Sequence, residues 1–292
     1  MGASAQEEDP AGGDVLSDSV PTAPALGDFE PWLTRWRLTP DGAAFRSLAG
    51  RLLPVLREGA PAILKLSHAP EEIAGGALMQ WWAGDGAARV LARAGDALLL
   101  ERAMGPRSLA GMARGGDDDE ACRILCAAGA RLHAARDAAP PASLVPLAPW
   151  FRQLWPTAEA QGGLYAKSAT AARALLGAPQ PPCVLHGDLH HGNVLDFGPR
   201  GWLAIDPKGL LGDRGYDHAN MICNPDVETA TAPGVLARRV RTISEAADLE
   251  PRRLLTWVLA YCGLSASWTL GDGGDPWRAV AIGERAAAEL GV

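Results

Sequence analysis

Val184-Leu185-His186-Gly187-Asp188-Leu189-His190-His191-Gly192-Asn193-Val194-Leu195, answered by Trp202-Leu203-Ala204-Ile205-Asp206, decides the fold. The apolar runs in this stretch read as short strands, and they hold Asp188, Asn193 and Asp206 on three successive elements. A loop carboxylate, an amide five residues on and a second carboxylate closing the next strand are what phosphoryl transfer needs. Asp188 is the candidate catalytic group, placed to accept the proton of an attacking hydroxyl. Asn193 and Asp206 are candidate ligands for Mg2+, which prefers oxygen donors, keeps several waters and needs few protein groups beside nucleotide phosphates.

Working outward, His186-Gly187-Asp188 through Asn193, then Ile205-Asp206-Pro207, resembles the aminoglycoside phosphotransferase family. Trp202 to Asp213 with Tyr216-Asp217 and Ala219-Asn220 is similar to its streptomycin 6-kinase and aminoglycoside/hydroxyurea resistance branch. So is Pro251 to Leu255 with Ala260-Tyr261 and Leu264 to Trp268. The resemblance runs from about Trp36 to the end of the chain. It implies a bilobal, protein-kinase-like α+β fold: a small antiparallel N-lobe with one helix, and a larger, mainly helical C-lobe. It also implies transfer of the γ-phosphate of ATP or GTP, with Mg2+, to a hydroxyl on the streptidine ring of streptomycin, a cationic aminoglycoside.

The remaining site residues follow from both sources. Lys65 ends an apolar strand, where an unpaired charge is costly; in a kinase-like fold it contacts nucleotide phosphates and pairs with a helical glutamate. Glu71 and Glu72 are the only acids in the next helix, Gly75-Gly76 stand one turn later, and Glu72 is the expected partner. Asp41 to Gly50, poor in glycine, lies where a phosphate-covering loop belongs, with Ser47 as its side-chain donor. Glu101 and Ala103 fall in the expected hinge and are assigned to the nucleotide. His186 is expected to fasten the catalytic loop, His190 or His191 to approach the γ-phosphate or face solvent, and Asp213 to be exposed toward a cationic acceptor. Asn220 is placed on the acceptor side. Lys208 offsets phosphate charge, and Asp217 caps the helix holding Ala219 to Ile222 while its family counterpart braces the catalytic loop.

The domain plan is a disordered leader over 1–28, rich in Ala, Gly, Pro and acids, an N-lobe over 29–100, a hinge over 101–107 and a C-lobe over 108–292. Strand-like pattern begins at Trp32. Arg51 to Leu56 and Ala62 to Leu66 flank Glu58-Gly59-Ala60-Pro61, a hairpin signal. Residues 70–82 read as a helix with Ile73, Ala77, Leu78 and Trp81 inward; Val90 to Ala92 and Ala97 to Leu100 give two more strands. Asp117 to Glu120 head a helix with Ile124, Leu125, Ala128 and Leu132 on one face. Two helices are expected over 147–176, and others near 233–247, 251–270 and 276–290. Trp81, Trp257 and Trp268 read as core.

A net charge of −7 argues against a nucleic-acid partner and suits a cationic ligand. No apolar run of the roughly 20 residues that span a bilayer is read, and no secretory signal, so the expected compartment is the cytoplasm. Five cysteines without Cys-x2-Cys spacing read as reduced core residues, not structural zinc ligands. The assembly is left as monomer or dimer. The competing readings are a same-fold kinase for another small alcohol or amine, a non-catalytic nucleotide-binding pseudokinase, and a two-metal phosphoesterase, which lacks the early Asp-x-His it would need.

Overall fold

The computed structural model describes residues 24–47 and 50–292. The leader lies, up to residue 23, outside the described residues, as do Leu48 and Ala49 of the phosphate-covering segment. Leu26–Asp28, within the expected leader, form a 3-10 turn that buries none of its residues, and Phe29, the first residue of the expected N-lobe, is fully buried.

The first departure from expectation is α1 (Glu30–Trp36), a helix where strand was read. Pro31 in its first turn presets helical φ, and Arg37 leaves it in the left-handed region at φ 53°. Trp32 and Trp36 look like strand alternation but are four apart, one helical turn, with ring centroids 5.0 Å apart. Among the described residues, the expected N-lobe therefore carries two helices, not one.

A six-stranded antiparallel sheet follows: β1 (Leu38–Pro40), β2 (Phe45–Ser47), β3 (Gly50–Arg57), β4 (Ala60–Leu66), β5 (Val90–Ala94) and β6 (Ala97–Glu101), in the order β1-β3-β4-β6-β5 with β2 on β3. The β3–β4 turn is Glu58-Gly59, both at positive φ (53° and 81°), as a two-residue hairpin with right-handed twist demands. Lys65 on central β4 lies between Leu52 and Leu98 on its neighbours. One sheet face buries Leu53, Val55, Leu64 and Leu99 beneath Phe29 and Leu33.

The other face meets α2 (Pro70–Trp82), whose buried stripe is Glu72, Gly75, Gly76, Met79 and Trp82, with Leu78. Ile73 is exposed and Trp81 half-buried, contrary to the expected inner face. The true stripe keeps helical spacing, but an acid and two glycines occupy it, so hydropathy points one residue away. A Cβ built on Gly75 would lie 2.1 Å from the Pro207 carbonyl oxygen, so only glycine lets this helix touch the segment after Asp206.

Beyond β6, α3 (Leu109–Gly115) is capped by Ser108, and α4 (Asp118–His133) buries Ala121, Cys122, Leu125, Ala128 and Leu132, with Ile124 at its edge. β7 (Val145–Pro146) leads to α5 (Leu147–Trp150), α6 (Leu154–Gln161) and α7 (Gly163–Gly177), three helices where two were read; Gly162 and Gly163, both at positive φ, make the extra break. β8 (Cys183–Leu185) pairs with β11 (Leu210–Gly212), while β9 (Val194–Asp196) and β10 (Trp202–Ala204) form a hairpin. That hairpin sets the site: Asn193 precedes β9 and Asp206 follows β10.

α8 (Gly215–Ile222), α9 (Val227–Ala230), α10 (Val235–Ala247), α11 (Pro251–Gly271) and α12 (Trp277–Leu290) complete the chain. α11 buries Leu254, Trp257, Val258 and Cys262; Tyr261 and Trp268 are half-buried. Contrary to the expectation, α11 is long and apolar enough by composition to cross a membrane, but 61% of that window is buried against neighbouring elements, the mark of a core helix. Arg252, Thr256 and Ser265 interrupt it, so no unbroken apolar run announced it.

Candidate active site

The catalytic loop is held from below. Asp217, fully buried, accepts the backbone N–H groups of His186 (2.9 Å) and Gly187 (2.8 Å) and lies 2.8 Å from His133 Nε2. It sits inside the first turn of α8 and caps nothing, which corrects that expectation. Burial pushes its carboxyl up, but His133, His186 and the Gly187 N–H outweigh this and hold it below the usual range. Asp213, expected to be exposed, is 4% exposed: it accepts from Gly215 N–H at 2.8 Å and pairs with Arg253 at 2.5 Å. Its neighbour in space, Arg253, lies 40 residues away, which local pattern does not reveal.

His186 is buried and fastens the loop, its Nε2 2.8 Å from the Ile205 carbonyl and its Nδ1 accepting Asp188 N–H. His190 Nε2 lies 3.6 Å from Asp188 Oδ1, and its Nδ1 accepts Gly192 N–H. His191 turns inward, 2% exposed, with neither ring nitrogen hydrogen-bonded among the described residues. Burial and then the Arg239 charge depress it to about 3, so it is neutral at pH 7, and it does not face solvent.

Asp188 has one amide on each oxygen. Asn193 Nδ2 donates to Oδ2 at 3.2 Å and to the Asp188 carbonyl at 2.9 Å; Asn220 Nδ2 donates to Oδ1 at 2.9 Å. Asn220, placed on the acceptor side by sequence, is 1% exposed and faces Asp188 instead. Burial raises the Asp188 carboxyl, but His190, His186 and Asn220 bring it down to about 2.

Lys65, 4% exposed, lies 2.6 Å from Glu72 and 2.7 Å from Asp206. Lys208 takes the other Glu72 oxygen at 2.5 Å, so two cations and two carboxylates form one cluster, with Lys65 and Glu72 buried and Asp206 and Lys208 half-buried. Lys208 thus reaches Glu72 on α2. Burial lowers its ammonium, and Glu72 more than offsets this, leaving it raised. Asp206 adopts φ 57°, rare for a non-glycine residue and a strain of the order of 1–3 kcal/mol kept where geometry must be fixed.

A cavity of about 410 Å³ opens between the sheet and the β9–β10 hairpin, a size that suits a nucleotide. Its walls include Leu52, Ile63, Leu195 and Ile205, a slot for a flat base, and Lys65, Asn193 and Asp206 lie along its polar side. Ser47, Glu101 and Ala103 also line it; the Glu101 carboxylate itself is turned to Arg200 and Arg89 N–H. Several lining residues lie outside the expected site, two of them beside the hinge and the first loop. Phe45, 45% exposed, lies on β2, and Arg102 pairs with Asp41 at 2.5 Å, joining the hinge to the first loop. The only prior hint was a cation inside the hinge.

A second cavity, about 220 Å³, lies among the α8–α9 connection, α11 and α12, lined by Asn224, Asp226, Tyr261, Ser265 and Arg278. Asn224 Nδ2 donates to Asn220, whose Nδ2 donates to Asp188, so two amides link this cavity to Asp188. Its lining comes from separate helices and carries no spacing signature.

A two-lobed fold with a strand lysine paired to a helical glutamate, and a loop aspartate beside an amide, defines a kinase-like phosphotransferase. Residues 35–273 match the pattern described as aminoglycoside/hydroxyurea antibiotic resistance kinase, and the chain belongs to that family. It is 50% identical over 255 residues to streptomycin 3''-kinase of Klebsiella pneumoniae, covering 86% of this chain and 95% of the relative. It is 35% identical over 278 residues to streptomycin 6-kinase of Streptomyces griseus, covering 87% and 85%. Among solved structures it shares the fold of aminoglycoside phosphotransferase APH(4)-Ia, with TM-score 0.61, 16% identity and coverage of 89% and 96%. It also shares that of a choline kinase from Cryptosporidium parvum, with TM-score 0.56, 11% identity and coverage of 86% and 88%.

Proposed function

We propose that this protein transfers the γ-phosphoryl group of ATP or GTP, in the cytoplasm, to a hydroxyl of streptomycin, and that this is the 3''-hydroxyl. The observation that carries the reading is Asp188 with an amide on each oxygen: Asn193, which lines the larger cavity, and Asn220, which is bonded to Asn224 in the lining of the second. Identity of 50% to a 3''-kinase, against 35% and 33% to two 6-kinases, favours the 3''-position over the streptidine ring.

Nucleotide enters the larger cavity, its base among the apolar walls and its phosphates toward Lys65, which Glu72 and Asp206 hold extended. Asn193 and Asp206 suit Mg2+. The Asn193 NH2 is spent on Asp188 and one Asp206 oxygen on Lys65, leaving a carbonyl and a carboxylate oxygen as hard donors. Bound there, Mg2+ would offset the phosphate charge. The acceptor hydroxyl donates to Asp188. A carboxylate held down to about 2 is a weak base, so Asp188 chiefly aims the hydroxyl in line and takes its proton late. That suits the loose transition state of phosphoryl transfer, in which placement and charge matter most.

The test is incubation of the purified protein with streptomycin, Mg2+ and either nucleotide, with phosphorus–proton NMR of the product. Phosphate at the 3''-oxygen is expected. Phosphate at the 6-oxygen would overturn the position, and nucleotide consumption with another acceptor alone would overturn streptomycin.

A further inference from the structure

We propose that Asn220 and Asn224 form a directional amide relay that orients Asp188 and couples that orientation to occupancy of the cavity between the α8–α9 connection, α11 and α12. The inference rests on Asp188 being the group that receives the acceptor proton.

The geometry fixes the polarity of the relay. Asn224 Nδ2 donates at 3.0 Å to both the Asn220 backbone carbonyl and Asn220 Oδ1. With Oδ1 so engaged, Asn220 presents Nδ2 to Asp188 Oδ1 at 2.9 Å. Turning the Asn220 amide over would set oxygen against carboxylate at one end and NH2 against NH2 at the other. At 1% exposure no solvent relieves either clash, so one rotamer survives. Asn220 and Asn224 lie one turn apart where α8 ends, so a single helix terminus carries both links.

The chemistry explains why amides stand here. A carboxylate offers about four lone-pair positions. Asn193 and Asn220 take one on each oxygen, fixing the plane of the group and leaving the others for the acceptor hydroxyl. Neutral donors restrain a base without neutralising it, whereas a lysine or arginine in the same place would form an ion pair. Asn224 lines the cavity and does not touch Asp188, so a sugar ring seated there stiffens Asn224, then Asn220, then the base.

The experiment is steady-state transfer from Mg-nucleotide to streptomycin by wild type, Asn220→Ala, Asn224→Ala and the double variant, with nucleotide affinity and melting temperature measured in parallel. The relay predicts that Asn220→Ala lowers kcat by roughly 10- to 100-fold, the scale of a misplaced catalytic group, with nucleotide Kd unchanged. Asn224→Ala lowers kcat about 5-fold and raises the acceptor KM. The double variant falls no further than Asn220→Ala, because two links in one chain are not additive. Multiplied single losses, or single variants with wild-type kcat, overturn the relay. If Asn220→Ala does not fold, Asn224→Ala decides alone: kcat reduced at unchanged nucleotide Kd supports the relay, and unaltered kcat refutes it. A wild-type protein that phosphorylates no acceptor refutes the proposed function itself, an outcome separate from all of these.

Discussion

The Asp217 carboxylate accepts the backbone N–H of Gly187 at 2.8 Å, so a helix thirty residues downstream sets the height of the catalytic loop. Gly187 itself sits at φ 86°, where a built Cβ would come within 2.8 Å of Leu210, so the loop can reach Asp217 only with glycine at this turn. Replacing Asp217 with Ala leaves the N–H groups of His186 and Gly187 unpaired in the core. Each such loss costs about 1–3 kcal/mol. Chemical denaturation of Asp217→Ala should show unfolding free energy lower by about 3 kcal/mol, together with loss of transfer activity. A variant as stable as wild type would show that the loop is held by something else.

Gly75 meets the Pro207 carbonyl across the cleft, with no room for a methyl group. Gly75→Ala should push α2 away from the Asp206 segment, parting Glu72 and Lys65 from Asp206. Mg-nucleotide Kd should rise by about 10-fold or more, whereas the neighbouring Gly76→Ala, whose Cβ would find ordinary contacts at 3.4 Å, should have a smaller effect. Titration calorimetry on the two variants distinguishes them; equal affinities would refute this account of the glycine.

Lys65→Met removes the cation shared by Glu72 and Asp206 and leaves Glu72 with Lys208 alone. Nucleotide KM should rise and kcat fall, together lowering kcat/KM by about 100-fold or more. Unchanged kcat/KM for nucleotide would remove Lys65 from the phosphate site.

Asp118 is 2% exposed and pairs with Arg239 at 2.6 Å and Arg238 at 3.1 Å. Burial raises its carboxyl, but the two guanidinium groups outweigh it, leaving the pKa below the ordinary 3.8. A carboxylate depressed in the folded state adds stability that is full above the unfolded pKa and lost as pH falls through the folded one. Melting temperature should therefore drop below about pH 4, and the drop should be shallower in Arg239→Met, where burial meets less opposition. Parallel curves for the two proteins would contradict the assignment.

Much of this was legible in the sequence because phosphoryl transfer imposes spacing. The loop from His186 to Asn193 and the hairpin ending at Asp206 have local signatures, and the structure gathers Lys65, Glu72 and Asp206 into one cluster. The illegible parts share one cause, contact between residues distant in sequence or hidden from hydropathy. Asp213 read as a loop carboxylate because its partner Arg253 belongs to α11. The inner face of α2 was misplaced because Glu72 and two glycines occupy it. Tryptophans spaced by one turn read as strand, and the second cavity, assembled from the α8–α9 connection, α11 and α12, has no motif to betray it.

The central claim is that Asp188 directs an acceptor hydroxyl onto a nucleotide held by other residues. Asp188→Asn changes one atom of that carboxylate and is isosteric. Single-turnover phosphorylation of streptomycin, followed by quenched flow beside a fluorescence measurement of nucleotide binding, tests it most directly. The expected result is transfer slowed by about 1,000-fold or more with nucleotide affinity within about 3-fold of wild type. Transfer at the wild-type rate, or a slowing that merely tracks lost nucleotide affinity, would contradict it.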